Sequence, residues 1–131
     1  DASGNALLYD YKTGTAPTAP QQEHFEKQLL LEAAILAENG FDDLAPARVA
    51  DAVYLSLKPG DPRAVPAPLD KEPPEKVWQD FIRLMQAYAD PDRGYTARRA
   101  LTRDSDFAEY DHLSRFGEWD VTDSPVTERL E

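Results

Sequence analysis

Two side chains of opposite charge, Asp10 and Lys12, stand one residue apart in the segment Ala6–Lys12. The carboxylate of Asp10 is a hard oxygen ligand of the kind that Mg²⁺ prefers, and the main-chain carbonyl of Tyr11 between them offers a second oxygen. The ammonium of Lys12 can orient an attacking water and balance negative charge at a phosphate. The pair predicts metal-dependent phosphodiester hydrolysis, although a solvated ion pair is the commoner interpretation of this spacing alone.

The segment Ala6–Lys12 is predicted to be a β-strand, because its apolar and aromatic residues follow the turn residues Ser3–Asn5. Side chains alternate along a strand, so Leu8, Asp10 and Lys12 share one face. The opposite face then carries the remaining large side chains, Leu7, Tyr9 and Tyr11.

A single helix is predicted from Thr18, which can form a capping box with Gln21, to a left-handed stop at Asn39–Gly40. Gln28 and Glu32 fall on its apolar stripe, whose members are Phe25, Leu29, Ile35 and Leu36. An amide on a buried stripe needs hydrogen-bond partners, and the polar face of the preceding strand is the closest source. Alternatively, Gln28 caps backbone groups at a helix–sheet contact.

The rest of the sequence predicts one more strand and one more long helix. Val49–Leu57 alternates as a strand, the proline-rich residues 63–74 favour an extended crossing, and an amphipathic helix runs from Val77 to about Ala89. From Tyr95 onward the hydrophobic residues keep neither a helical nor a strand period. The order strand, helix, strand, helix indicates an α/β fold with a right-handed crossover and an irregular C-terminal tail.

An apolar strand ending in Asp-Tyr-Lys, followed by a helix with Gln-Leu, occurs here as Leu7–Gly14 and Gln28–Leu29. This combination resembles the PD-(D/E)XK nuclease superfamily, in the branch found at the end of RecB, AddA and AddB helicase–nuclease subunits. The stretches Gln28–Ala37 and Glu109–Trp119 are similar to the carboxy-terminal part of the AddB-type subunit of bacterial double-strand-break repair enzymes, in the version without cysteines.

The resemblance implies a restriction-endonuclease-like core, Mg²⁺ or Mn²⁺ as cofactor, DNA as substrate and an AddA-like helicase–nuclease subunit as partner. By the same resemblance Asp10 is a metal ligand, Lys12 is the catalytic lysine, and Gln28 is the motif residue that packs against the active site. Glu32 stands where RecB-like nucleases more often have Tyr, which weakens a metal or DNA role for this position. Relatives of the AddB type resemble this chain there.

The superfamily's first metal-binding acidic residue lies on the strand hairpin before Asp-x-Lys, upstream of a turn resembling Asp1–Asn5. We therefore expect that ligand, with the opening helix and strands, to lie outside this sequence. Residues 1–121 then form part of a nuclease domain, and residues 122–131 form a polar, flexible tail. Such a fragment is expected to be inactive alone and to self-associate through its exposed sheet edge.

The composition of the chain excludes several classes of protein and of site. The chain has 131 residues, 14 Lys and Arg against 25 Asp and Glu, and a net charge of -11, so it does not hold a DNA backbone by itself. The absence of cysteine excludes disulfides, cysteine zinc sites, an iron–sulfur cluster and a thiol nucleophile, and it fits a cytoplasmic protein. No apolar run approaches the roughly 18 residues that span a bilayer, so no membrane partner is expected.

Other candidate residues give weaker signals. The histidines, His24 and His112, lack metal-site spacing, and the local basic cluster is Arg98, Arg99 and Arg103 with Tyr95. Trp78 and Phe81 keep the helix period and are predicted to be core residues. The rival hypothesis is a non-catalytic α/β module whose acidic surface docks a basic partner.

Overall fold

The computed structural model describes residues 1–94, 111–113, 115, 117–120, 122–124 and 126. The elements, in chain order, are β1 (Ala6–Lys12), α1 (Ala19–His24), α2 (Gln28–Glu38), β2 (Val49–Ser56), β3 (Arg63–Pro66) and α3 (Pro74–Ala89). The chain divides into two compact units, Asp1–Met85 and Gln86–Glu131. All three strands belong to the first unit. Within the described ranges, no helix has the length and apolar character needed to cross a membrane.

The three strands form one sheet in the order β1-β2-β3. β1 and β2 are parallel, and the connection between them contains α1 and α2, as a parallel pair requires. The predicted α/β class is therefore confirmed. Part of the predicted extended crossing is a strand, because β3 pairs antiparallel with Val53–Ser56. Its proline, Pro66, ends an edge strand, where a missing N–H donor is tolerated.

The core of the first unit lies between the sheet and α2. Leu29 and Leu30 of α2 are each 1% exposed and cluster with Ala52 and Tyr54 of β2. Trp78 of α3 packs against the same cluster as a half-buried side chain, which agrees with its predicted core role. Burial of this apolar surface positions the start of α2 against the sheet.

The prediction of one continuous helix from Thr18 is wrong, since residues 25–27 are not helical and separate α1 from α2. The start is as predicted, with Oε1 of Gln21 accepting from the Thr18 N–H at 2.9 Å. Phe25, expected on the buried stripe, is 49% exposed, whereas Gln22 is fully buried and its Nε2 donates to the carbonyl of Pro17 at 3.1 Å. On either side of the break Gln22 of α1 and the leucines Leu29, Leu30 and Leu36 of α2 are buried, whereas Phe25 within it faces solvent.

The end of α2 follows the predicted signal. Gly40 has φ +73°, and its N–H donates to the carbonyls of Ile35 and Leu36 at 3.1 and 3.3 Å. A glycine adopts this left-handed conformation without the strain that a Cβ would add. The predicted tail at residues 122–131 lies mostly outside the described residues and stays a prediction.

Candidate active site

Asp10 and Lys12 lie at the carboxyl end of β1, on the face that is turned away from solvent. The alternation along the strand is as predicted: Leu8, Asp10 and Lys12 are half-buried. The other face is open, with exposed fractions of 41%, 52% and 65% for Leu7, Tyr9 and Tyr11. The acid and the base therefore point toward α2.

The two charged groups form an ion pair. Nζ of Lys12 lies 2.8 Å from Oδ2 of Asp10, and the side chains are 32% and 22% exposed. This side-chain contact with Asp10 raises the pKa of Lys12 above 10.5, and it outweighs the opposing effect of burial. Lys12 is therefore a cation at neutral pH, suited to stabilising negative charge rather than to accepting a proton.

Gln28, the first residue of α2, binds Lys12 directly. Its Oε1 accepts a hydrogen bond from Nζ of Lys12 at 3.0 Å, and its Nε2 donates to Oε1 of Glu32 at 3.0 Å. The predicted contact between Gln28 and the polar face of β1 is present. Gln28 is nonetheless exposed rather than part of a buried stripe, because the buried face of α2 is formed by other residues, Leu29, Leu30, Ala33, Ala34 and Leu36. A continuous polar chain runs from Asp10 through Lys12 and Gln28 to Glu32.

Tyr54 of β2 supports this arrangement and was not foreseen as a site residue. It is 1% exposed and pairs in register with Asp10 across the parallel strands. The Nζ of Lys12 lies 5.1 Å from the centroid of its ring, and the N–H of Leu29 donates to its hydroxyl at 3.3 Å. The alternation of β2 was readable from the sequence, but the residue that faces Asp10 depends on the register between the strands.

The end of β1 offers a divalent cation one carboxylate, that of Asp10. Oδ2 of Asp10 is a buried atom, and the Lys12 ammonium approaches it at ion-pair distance without the alignment of a hydrogen bond. Within the part of the chain that the structure describes, no three His, Cys, Asp or Glu side chains gather to hold a metal ion. One carboxylate fits Mg²⁺, which keeps several waters and takes one or two carboxylates plus phosphate oxygens.

The structure describes two of the other candidate residues. His24 is exposed in the last turn of α1, where its ring lies edge-to-face with the ring of Phe25. The two ring centroids are 6.5 Å apart. His112 stands in a turn of the second unit. The basic cluster of Arg98, Arg99 and Arg103 with Tyr95 falls outside the described residues.

The comparison with known proteins agrees with the site. The sequence model of the PD-(D/E)XK nuclease superfamily matches residues 1–112, which is most of the chain. No curated protein and no solved structure gives a significant match. Members of this superfamily are generally nucleases, hydrolases that use divalent metals and act on DNA. The chain belongs to the PD-(D/E)XK nuclease superfamily.

Proposed function

We propose that this chain forms part of a DNA nuclease domain that depends on Mg²⁺ or Mn²⁺. The observation that carries the proposal is the position of Lys12, whose ammonium lies 2.8 Å from a carboxylate oxygen of Asp10 and 3.0 Å from the amide oxygen of Gln28. An acid, a cation and an orienting amide thus converge at the end of one strand. A solvated ion pair within one strand would not need a hydrogen bond from its lysine to a residue of a neighbouring helix.

Each residue has a distinct role in the proposed reaction. The carboxylate of Asp10 and the carbonyl of Tyr11 would hold the cation, which would supply water activation and charge neutralisation at the scissile phosphate. Lys12 is the catalytic lysine, and its raised pKa keeps it positively charged beside the phosphate oxygens. Gln28 fixes the direction of the lysine side chain.

We further propose that the domain belongs to an AddB-type subunit of a cytoplasmic helicase–nuclease that resects double-strand breaks with an AddA-like partner. The support is the resemblance of Leu7–Gly14, Gln28–Ala37 and Glu109–Trp119 to that subunit. The net charge of -11 agrees with a domain that relies on the rest of a larger assembly to hold the DNA backbone.

A second acidic ligand is proposed to lie on the strand that forms a hairpin with β1, upstream of the turn at Asp1–Asn5. Asp10 is the one proposed carboxylate ligand of the cation, and among the described residues the sheet has three strands, none of which precedes β1. The 131 residues alone are therefore expected not to cleave DNA. The same chain with its upstream residues restored is expected to cleave.

The decisive experiment measures Mg²⁺-dependent cleavage of end-labelled duplex and single-stranded DNA by the upstream-extended protein. Asp10→Ala and Lys12→Ala are each expected to reduce the rate at least about a hundredfold, since removal of one preorganised charge costs about that much. The matched controls Glu38→Ala and Lys58→Ala change exposed groups of the same charge and should cleave like the wild type. Unchanged activity in both Asp10→Ala and Lys12→Ala would contradict the proposal.

A binding measurement separates this function from the rival interaction module. Mn²⁺ added to the extended protein is expected to broaden the NMR signals of residues around Asp10, and Asp10→Ala should abolish that effect. Broadening that persists in Asp10→Ala, or that is absent in the wild type, would favour the non-catalytic module.

A further inference from the structure

Tyr54 is a buried phenol in contact with the lysine to which the proposed function assigns catalysis. It is 1% exposed, lies in the central strand β2, and belongs to the core cluster that contains Leu29 and Leu30. We propose that Tyr54 is a positioning residue that sets the place of the Lys12 ammonium and of the first turn of α2. This inference rests on the proposed nuclease function for its catalytic consequence, whereas its geometric part can be tested separately.

The ring of Tyr54 gives Lys12 a fixed surface to rest on. Lysine is a flexible side chain with many rotamers, so its ammonium needs partners on several sides to occupy one position. Asp10 and Gln28 contact that ammonium from β1 and α2, and the ring centroid of Tyr54 lies 5.1 Å from Nζ. An aromatic face at this distance attracts a cation. The three contacts come from three different elements and together fix the ammonium.

The hydroxyl of Tyr54 acts on α2. The first N–H groups of a helix have no acceptor within the helix, and a side chain at the N-cap usually supplies one. Lys27 stands at the N-cap of α2 and makes no side-chain cap hydrogen bond. The hydroxyl of Tyr54 accepts from the N–H of Leu29 at 3.3 Å instead. A side chain of the sheet thus takes over the capping role.

These two contacts couple the lysine to the helix that carries its other partner. Gln28 immediately precedes Leu29, so the capped turn is the turn that directs the Gln28 amide toward Lys12. The buried side chain of Tyr54 therefore contacts the Lys12 ammonium with its ring. Through its hydroxyl it holds the turn of α2 that carries Gln28, the hydrogen-bond acceptor of Lys12. Its loss should misplace Lys12 without altering the affinity for DNA.

The kinetic test compares Tyr54→Phe and Tyr54→Leu in the upstream-extended protein. Tyr54→Leu loses ring and hydroxyl and is expected to lower kcat about tenfold with KM unchanged within about twofold. Tyr54→Phe keeps the ring and is expected to recover most of that loss. Leu36→Ala removes a buried side chain of α2 that packs with Ala33 and Val49; it is the control for destabilisation alone and should keep its kcat at a temperature where it is folded. A kcat for Tyr54→Leu equal to that of Leu36→Ala would overturn the proposal.

A spectroscopic measurement tests the position without any reaction. The side-chain methylene protons of Lys12 should show an upfield ring-current shift in the NMR spectrum of the 131-residue chain, kept in Tyr54→Phe and lost in Tyr54→Leu. Absence of that shift in the wild type would overturn the proposal. Presence of the shift, with cleavage insensitive to Asp10→Ala and Lys12→Ala, would refute the nuclease function and leave Tyr54 as the residue that holds Lys12.

Discussion

The ammonium of Lys12 donates a hydrogen bond to Oε1 of Gln28 over 3.0 Å, across sixteen positions of the sequence. The amide is turned this way because its other end, Nε2, donates to the carboxylate of Glu32. A carboxylate accepts hydrogen bonds and cannot donate them, so the carbonyl end of Gln28 is left for the cation. Lys12 is thereby attached to a helix as well as to the acid in its own strand.

Replacing Gln28 with alanine should slow cleavage by the upstream-extended protein about tenfold. The change removes one hydrogen bond to a charged group, a loss worth about 1.5 kcal/mol, and it frees the lysine to leave its position. Single-turnover cleavage of labelled DNA provides the rate. Gln79→Ala, an exposed glutamine of α3, is the control and should cleave like the wild type. Equal rates for the two variants would remove Gln28 from the site.

Glu32 should matter through the orientation of Gln28 rather than through its charge. Glu32→Ala removes the acceptor that holds Nε2, so the amide can turn its NH₂ group toward Lys12, and we expect a loss of about threefold in rate. Glu32→Gln retains an oxygen acceptor and should recover most of the activity. If Glu32→Gln is as slow as Glu32→Ala, the negative charge of Glu32 is what the site uses.

Local patterns predicted the polar half of the site. Alternation along β1 placed Asp10 and Lys12 on one face, and the search for partners of the Gln28 amide pointed to them; both relationships are present, although Gln28 is exposed and not on the buried stripe from which its contact was predicted. Tyr54 was missed because its place beside Lys12 depends on the pairing of β1 with β2, in which Asp10 stands opposite Tyr54. That register is set by packing between segments far apart in sequence, which periodicity does not encode.

The fold was predicted well where one segment decides its own structure. The helix stop at Gly40 and the end of α3 at Ala89 follow local signals. The break at residues 25–27 and the strand Arg63–Pro66 do not. The first accompanies the burial of Gln22, whose Nε2 donates to the carbonyl of Pro66 at 3.4 Å, and the second exists because Val53–Ser56 offers an edge to pair with. Tertiary contacts decide both outcomes.

Glu72 should make the stability of the first unit depend on acidic pH. Burial raises the pKa of this carboxyl, but hydrogen bonds and charge from Lys76 and Lys27 outweigh burial, so the pKa lies below 4.5. Because the folded pKa is lowered, the stabilisation is fully present above pH 4.5 and is lost as the pH falls through the folded pKa. We expect the free energy of unfolding of the wild type to exceed that of Glu72→Gln by about 1 kcal/mol at pH 7.

Urea unfolding followed by circular dichroism between pH 7 and pH 3 measures that difference. The gap between the wild type and Glu72→Gln should stay constant down to pH 4.5 and narrow below it. Glu38→Gln changes an exposed carboxylate at the end of α2 and is the matched control, with a gap near zero at pH 7. A gap for Glu72→Gln that widens on acidification would contradict the sign of the pKa shift.

Gly40 should be the glycine of the first unit least tolerant of a side chain. Its φ of +73° strains any L-residue, and an added Cβ would meet the carbonyl oxygen of Leu44 and lie 2.9 Å from the carbonyl carbon of Ala45. Gly4 has a similar φ of +78° with open space around its Cβ position, so Gly4→Ala isolates the backbone strain. We expect Gly4→Ala to lower the free energy of unfolding by about 1 kcal/mol, and Gly40→Ala by more than about 2 kcal/mol. Urea unfolding at pH 7 compares them, and equal losses would mean that the chain after α2 shifts to admit the methyl group.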